Sequence, residues 1–97
     1  MRVILPQHLS TLAKTGRTLE IDAEGQSTIG TILDILEARY PVLRGTMRDQ
    51  LTLQRRPFIR FFACGQDFSL EEADFPLPEA VTNGSEPFRI VGAMAGG

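Results

Sequence analysis

The run Thr28-Ile29-Gly30-Thr31-Ile32-Leu33-Asp34-Ile35-Leu36-Glu37-Ala38-Arg39-Tyr40-Pro41 decides how this 97-residue chain is organised. Ile29, Ile32, Leu33, Leu36 and Tyr40 recur at three- and four-residue spacing, which at helical periodicity lines them along one stripe of a helix of about three turns. Asp34, Glu37 and Arg39 fall on the water-facing side. Ser27 or Thr28 supplies the N-cap, because a hydroxyl there accepts from the free N–H groups of the first turn. Pro41 enforces the end, since a proline drives the residue before it out of helical angles. A helix with one apolar stripe needs a surface to lie on, and the flanking segments read as strands.

On the N-terminal side, Met1 to Leu5 is a short apolar run halted by Pro6, a strand by length. Gln7 to Gly16 is mixed, with Leu9 and Leu12 spaced like one turn of packed helix or an ordered loop. Arg17 to Asp22 alternates: Leu19 and Ile21 point one way while Thr18, Glu20 and Asp22 point the other, the period of a half-buried antiparallel strand. The two strands make a hairpin, and Ala23-Glu24-Gly25-Gln26 turns the chain into the helix. On the C-terminal side, Val42 to Arg56 carries four arginines and reads as a connecting loop with a short helical turn. Phe58 to Ala63 is a dense strand with Ile59, Phe61 and Ala63 on one face and Phe58, Arg60 and Phe62 on the other. Cys64-Gly65-Gln66 turns it, and Asp67 to Leu70 reads as a short edge strand. An acidic, proline-bearing loop follows. Asn83-Gly84 is a tight-turn signal, and Pro87 to Val91 is the last strand.

Strand, strand, helix, strand, short strand, strand is an α+β order with one helix packed on one sheet face. A right-handed crossover then sets the first and last strands side by side at the sheet centre, the β-grasp or ubiquitin-like arrangement, a mixed sheet of four to five strands. Residues 1–91 are expected to form this single domain and residues 92–97 a flexible tail.

Charged residues make up 23% and the formal net charge is −2, which leaves no basic footprint for nucleic acid and favours basic protein partners. A single cysteine excludes an internal disulfide. No apolar run reaches membrane length, no signal peptide precedes the first strand and no Cys/His spacing suits a metal, so the expectation is a cytoplasmic protein without membrane contact. His8 has no carboxylate or second histidine at dyad or ligand spacing and reads as a surface or loop residue. Cys64 has no basic neighbour in sequence to activate it. Arg44, Arg48, Arg55, Arg56 and Arg60 are close in sequence, but charges in a loop are ordinarily solvated.

The chemistry points elsewhere, to the end of the chain. Gly92-Ala93-Met94-Ala95-Gly96-Gly97 follows the last strand directly. A carboxylate is a poor electrophile until an enzyme converts it to a mixed anhydride, and that enzyme must enclose it. Glycines let a backbone enter a narrow channel at angles closed to other residues, while Ala93 and Ala95 keep the approach thin.

With the strand order and the tail taken together, the chain from Val3 to Gly97 resembles the ThiS/MoaD family of ubiquitin-like sulfur carriers. Val3-Ile4-Leu5-Pro6 looks like the opening strand, Thr28 to Leu36 with Ala38-Arg39-Tyr40-Pro41 like the helix and its stop, and Ile90 to Gly97 like the strand that runs into the diglycine. Three positions depart from the family's pattern. Cys64-Gly65 stands where an Asn-Gly turn is usual, Gly92 where a proline is usual, and Asn83-Gly84-Ser85-Glu86 where an acidic Gly-Asp turn is usual.

The resemblance implies a carrier that catalyses nothing and binds no cofactor itself. A ubiquitin-activating-type enzyme would use ATP to adenylate the Gly97 carboxylate, with Gly96, Ala95 and Met94 threading its channel. Sulfur would then replace AMP, and the thiocarboxylate would serve a sulfur-accepting enzyme of molybdopterin, thiazole or cysteine synthesis. The alternatives are a protein modifier joined to lysines through Gly97 and a β-grasp interaction domain with an idle tail. Strand parity adds a docking surface: Ile4, Phe62 and Val91, with Arg60, face away from the helix on three strands that the β-grasp order makes neighbours. Such an apolar row marks a partner.

Overall fold

The computed structural model describes residues 1–22, 25 and 27–92. Its elements are β1 (Arg2–Ile4), α1 (Gln7–Ala13), β2 (Thr18–Glu20), α2 (Ile29–Arg39), β3 (Ile59–Ala63), β4 (Gln66–Asp67), α3 (Glu79–Thr82) and β5 (Phe88–Gly92). One five-stranded sheet runs in the order β2-β1-β5-β3-β4. β1 and β5 pair in parallel, and the other neighbours are antiparallel. The expected mixed sheet is present, with the first and last strands adjacent.

The α2 stripe forms as the spacing predicts: Ile29, Ile32, Leu33 and Leu36 are buried, and Tyr40 packs against the core. Of the two candidate caps, Thr28 is the one used. Its Oγ1 accepts from the Thr31 N–H at 3.1 Å while Thr31 Oγ1 accepts from the Thr28 N–H at 2.9 Å, a reciprocal capping box with threonine in the usual place of Glu or Gln. Ser27 is instead fully buried, its Oγ accepting from Thr82 Oγ1. At the other end Tyr40 has left helical angles and Pro41 opens a short 3-10 turn over Pro41–Leu43. Under the helix the core gathers the inward sides of the strands, Val3, Leu19, Phe61, Ala63, Phe88 and Ile90. The Phe61 and Phe88 rings stack on neighbouring strands with centroids 5.7 Å apart.

Three local expectations change. Gln7 to Ala13 is a two-turn helix between β1 and β2, with Leu9 and Ser10 buried, so the β1–β2 pair is closed by a helix and not by a simple turn. β4 is only Gln66–Asp67: beyond it Phe68 turns inward, donating its N–H to Phe61 O at 2.8 Å, and is buried. Asn83-Gly84 turns the chain as expected. It ends α3, where Asn83 is the C-cap and Gly84 takes φ +87°, the left-handed angle that glycine adopts without steric cost at a helix end. The last strand runs one residue past Val91, with Gly92 paired to Ile59.

The segment 42–56 is far more than a connector. Leu43 and Met47 are fully buried, and Arg48 reaches back to α2. Its Nε and Nη2 donate to Glu37 Oε2 and Oε1, each at 3.0 Å, and Nη2 also donates to Asp34 Oδ1 at 2.6 Å. Asp34 stays solvated, but Glu37 is 13% exposed and Arg48 only 7%, so neither Glu37 nor Arg48 is the solvated charge its sequence context suggests. Burial alone would lower the guanidinium's pKa, but its hydrogen bonds to Glu37 and Asp34, and their charge, outweigh that and raise it. Arg55 is also committed, donating to the carbonyls of Ser69 at 2.9 Å and Ile59 at 2.8 Å.

Candidate functional site

The site has two parts, the open face of the sheet and the root of the tail. Alternation along β1, β3 and β5 sends Val3, Ile59, Phe61, Ala63, Phe88 and Ile90 into the core. The residues between them face outward: Ile4 and Phe62 are half-buried, and Arg60, Arg89 and Val91 are exposed. Register then decides who meets whom. Ile4 stands opposite Arg89 on one side of β5, and Phe62 stands opposite the same Arg89 on the other. Val91 lies one pleat nearer the tail, opposite Arg60.

The apolar row is therefore interrupted at its centre. Ile4, Phe62 and Val91 surround Arg89, a residue the parity argument did not single out although it shares the parity of Val91. Arg60 donates to Asp67 Oδ2 at 3.3 Å in an exposed pair. Among the described residues no ion pair involves Arg89. A cavity of about 260 Å3 opens beside it, bounded by Phe62, Val91, Glu86 and the Cys64 turn. The surface is apolar with an uncommitted cation at its centre.

The turn at the edge of this face is tight. Ala63 pairs with Gln66, and the two residues between them, Cys64 and Gly65, take φ +52° and +74°, positive at both central positions as a two-residue type I′ connection requires. Cys64 is exposed. Just beyond, Asp67 accepts from the Ser69 N–H at 2.8 Å. Hydrogen bonds from the Ser69 hydroxyl and backbone, with Arg60 alongside, hold the Asp67 carboxyl below the ordinary range.

At the root of the tail, β5 ends on Gly92 between Ile59 of β3 and the imidazole of His8. His8 lies on α1 and is half-buried, so it is neither a loop nor a free surface residue. Gly97, Gly96, Ala95 and Met94 lie outside the described residues. Among the described residues no group of three or more His, Cys, Asp or Glu side chains could hold a metal ion, and no helix is long and apolar enough to cross a membrane.

No family model matches the sequence, and no curated protein matches it. Solved structures do match. SAMP1 from Haloferax volcanii superposes with a TM-score of 0.73 at 23% identity, covering 100% of this chain and 98% of that one. A second structure of small archaeal modifier protein 1 from H. volcanii gives 0.71 at 21%, covering 97% of each chain. The BexX/CysO complex of Amycolatopsis orientalis contains a chain that matches with a TM-score of 0.73 at 21% identity, covering 99% of this chain and 98% of that one. The fold is the β-grasp. These likenesses extend over 97% or more of each chain compared.

Proposed function

We propose that the chain is a ubiquitin-like sulfur carrier of the ThiS/MoaD type, with the Gly97 carboxylate as the group that is activated. The observation that carries this reading is the position of the diglycine. Gly96 and Gly97 follow within five residues of β5, a strand held between β1 and β3, so a partner that grips the sheet has a rigid body from which to draw a thin terminus. Full-length likeness to proteins named as a small modifier and as a member of the BexX/CysO complex supports the class.

In this reading the chain is substrate and not enzyme. A ubiquitin-activating-type partner spends ATP: a Gly97 carboxylate oxygen attacks the α-phosphorus, pyrophosphate leaves, and the acyl adenylate forms. Hydrosulfide then attacks the acyl carbon, the bond to AMP breaks, AMP leaves with loss of the sulfur's proton, and the thiocarboxylate remains. A second partner takes that sulfur into a biosynthetic product in the cytoplasm. The open face of the sheet serves as the grip, with Phe62, Val91 and Ile4 as apolar contacts and Arg60 and Arg89 as the charges that fix register. It suits a partner surface that is apolar with carboxylates at its centre, since paired potentials fix orientation as well as attraction.

Intact mass of the protein recovered from its own cell is the direct test. Replacement of one oxygen by sulfur is expected at the terminus, and it should vanish on deletion of Gly97 along with ATP–pyrophosphate exchange by the activating partner. Undiminished exchange by that deletion variant removes the reading. A second reading, conjugation to lysines through Gly97, is favoured by the modifier named among the structural relatives. It gives ladders of higher mass instead of the sulfur substitution.

A further inference from the structure

Gly92 sits where the sheet's pleat asks for an inward side chain. Phe88 and Ile90 are buried on the core face of β5, and Gly92, two residues on, shares their parity. The backbone does not demand glycine, for Gly92 is not among the glycines with positive φ. Space does. A Cβ at this position would overlap Cε1 of His8 and stand 3.2 Å from Nε2 and 3.3 Å from Nδ1. The imidazole thus presents its Nδ1–Cε1–Nε2 edge to the Gly92 backbone and fills the place of the missing side chain.

The backbone position of His8 is itself fixed. β1 ends at Ile4, and Pro6 starts α1 at once, its carbonyl accepting from the N–H groups of Leu9 at 3.1 Å and Ser10 at 3.0 Å. Leu9 and Ser10 are buried and anchor the helix, so the residue before them cannot wander. Where β1 stops short, α1 stands beside the end of β5 in its place. Among the described residues the His8 ring makes no hydrogen bond to another group, which leaves both its nitrogens uncommitted beside Gly92, the last described residue of β5.

We infer that His8 is a positioning residue: its ring is the seat that fixes Gly92, the last described residue of β5 and the one from which the sequence continues to the diglycine. The contact stands on geometry alone, while its use in activation rests on the carrier reading above.

Four proteins test it: wild type, Gly92→Ala, His8→Ala and the double variant. In thermal unfolding, Gly92→Ala is expected to lower Tm, and the same change in the His8→Ala background to be neutral or stabilising. Additive shifts overturn the seat. Should Gly92→Ala fail to fold alone, recovery in the double variant is the same result, and failure of both overturns it. In ATP–pyrophosphate exchange with the cognate activating enzyme, His8→Ala is expected to lower kcat about tenfold, the scale of a slightly misplaced reacting group, with KM for the carrier little changed because the sheet face still docks. Wild-type kcat in His8→Ala overturns the positioning role even if the unfolding cycle shows coupling. No exchange by any of the four, wild type included, overturns the carrier reading and the positioning role with it, while the unfolding cycle still decides the contact.

Discussion

Arg48 and Arg89 are the same residue type on opposite sides of one sheet, and they have opposite fates. Arg48, on the helix side, is buried and spends its charge on Glu37 and Asp34 of α2. Arg89, on the open side, is exposed between Ile4 and Phe62 and takes no part in an ion pair among the described residues. The first is a strut that ties segment 42–56 to the helix, and the second is a charge left uncommitted among the described residues. What separates them is context that only the folded chain supplies. Substitution should therefore read out as stability on one side and as binding on the other.

The largest effect is expected at Arg48. Arg48→Ala leaves Glu37 nearly buried without its bidentate partner, and removing one member of a buried pair costs about 3–5 kcal/mol when both are enclosed. Because Asp34 is solvated, a loss of about 2–3 kcal/mol is expected, read as a fall in the urea midpoint. A loss below about 0.5 kcal/mol would make Arg48 an ordinary surface charge and erase the contrast.

Next comes the open face. Phe62→Asp is expected to weaken binding to the activating enzyme at least about tenfold, or roughly 1.4 kcal/mol, as an aromatic anchor of an interface does. Stability should stay near wild type, since Phe62 faces out of the core. Calorimetric titration beside circular dichroism reads both quantities. Equal affinity in a folded variant takes this face out of the mechanism, and a fall in stability instead shows it to be covered by part of the protein itself.

The contrast also marks what could be read without coordinates. The α2 stripe, its stop at Pro41 and the inward and outward parity of β1, β3 and β5 follow from periods of 3.6 and 2, which are local properties. Pairing register is not local. Nothing near Ile4 says that it will face Arg89 and not Val91, so the interruption of the apolar row was hidden while its parity was plain. Arg48 was hidden likewise, although two acids three residues apart on α2 were a signal that something basic could cover them. The helix before the Asn83-Gly84 turn was hidden because Glu79–Thr82 is too short to show a helical period. His8 was misread because the space it fills belongs to Gly92, a residue with no side chain to announce a contact.

A smaller effect, and of opposite sign, is expected at the turn bordering the open face. Cys64 holds φ +52°, an angle that costs an L-residue roughly 1 kcal/mol and that asparagine tolerates best among residues with a side chain. Cys64→Asn restores the pair usual for this turn and is expected to raise stability by about 0.5–1 kcal/mol without changing affinity for the activating enzyme. Loss of sulfur transfer in this variant would show that the thiol has a chemical part, and would move the working surface from Arg89 toward the turn.

The smallest effect belongs to the acid limb of stability, and it tests whether the charges of the open face do any structural work. Asp67 is held below the ordinary carboxylate range by the Ser69 hydroxyl and N–H, with Arg60 adding its charge. Asp49, in segment 42–56, is held down by the N–H groups of Thr52 and Leu51. For both, the folded-state pKa lies below the unfolded value of about 3.9, so between the two the unfolded chain binds more protons and stability rises with pH. The contribution is complete above pH about 4–5 and is lost as pH falls through the depressed folded value. Asp67→Asn should therefore flatten part of the decline in the urea midpoint below pH about 4 while the Asp49 part persists, and near neutrality it should alter stability little, because an exposed pair such as Arg60–Asp67 contributes little. Unfolding midpoints of wild type and variant across this acid range decide it: parallel declines would show that Asp67, with its Ser69 and Arg60 partners, holds no proton-linked role in the fold.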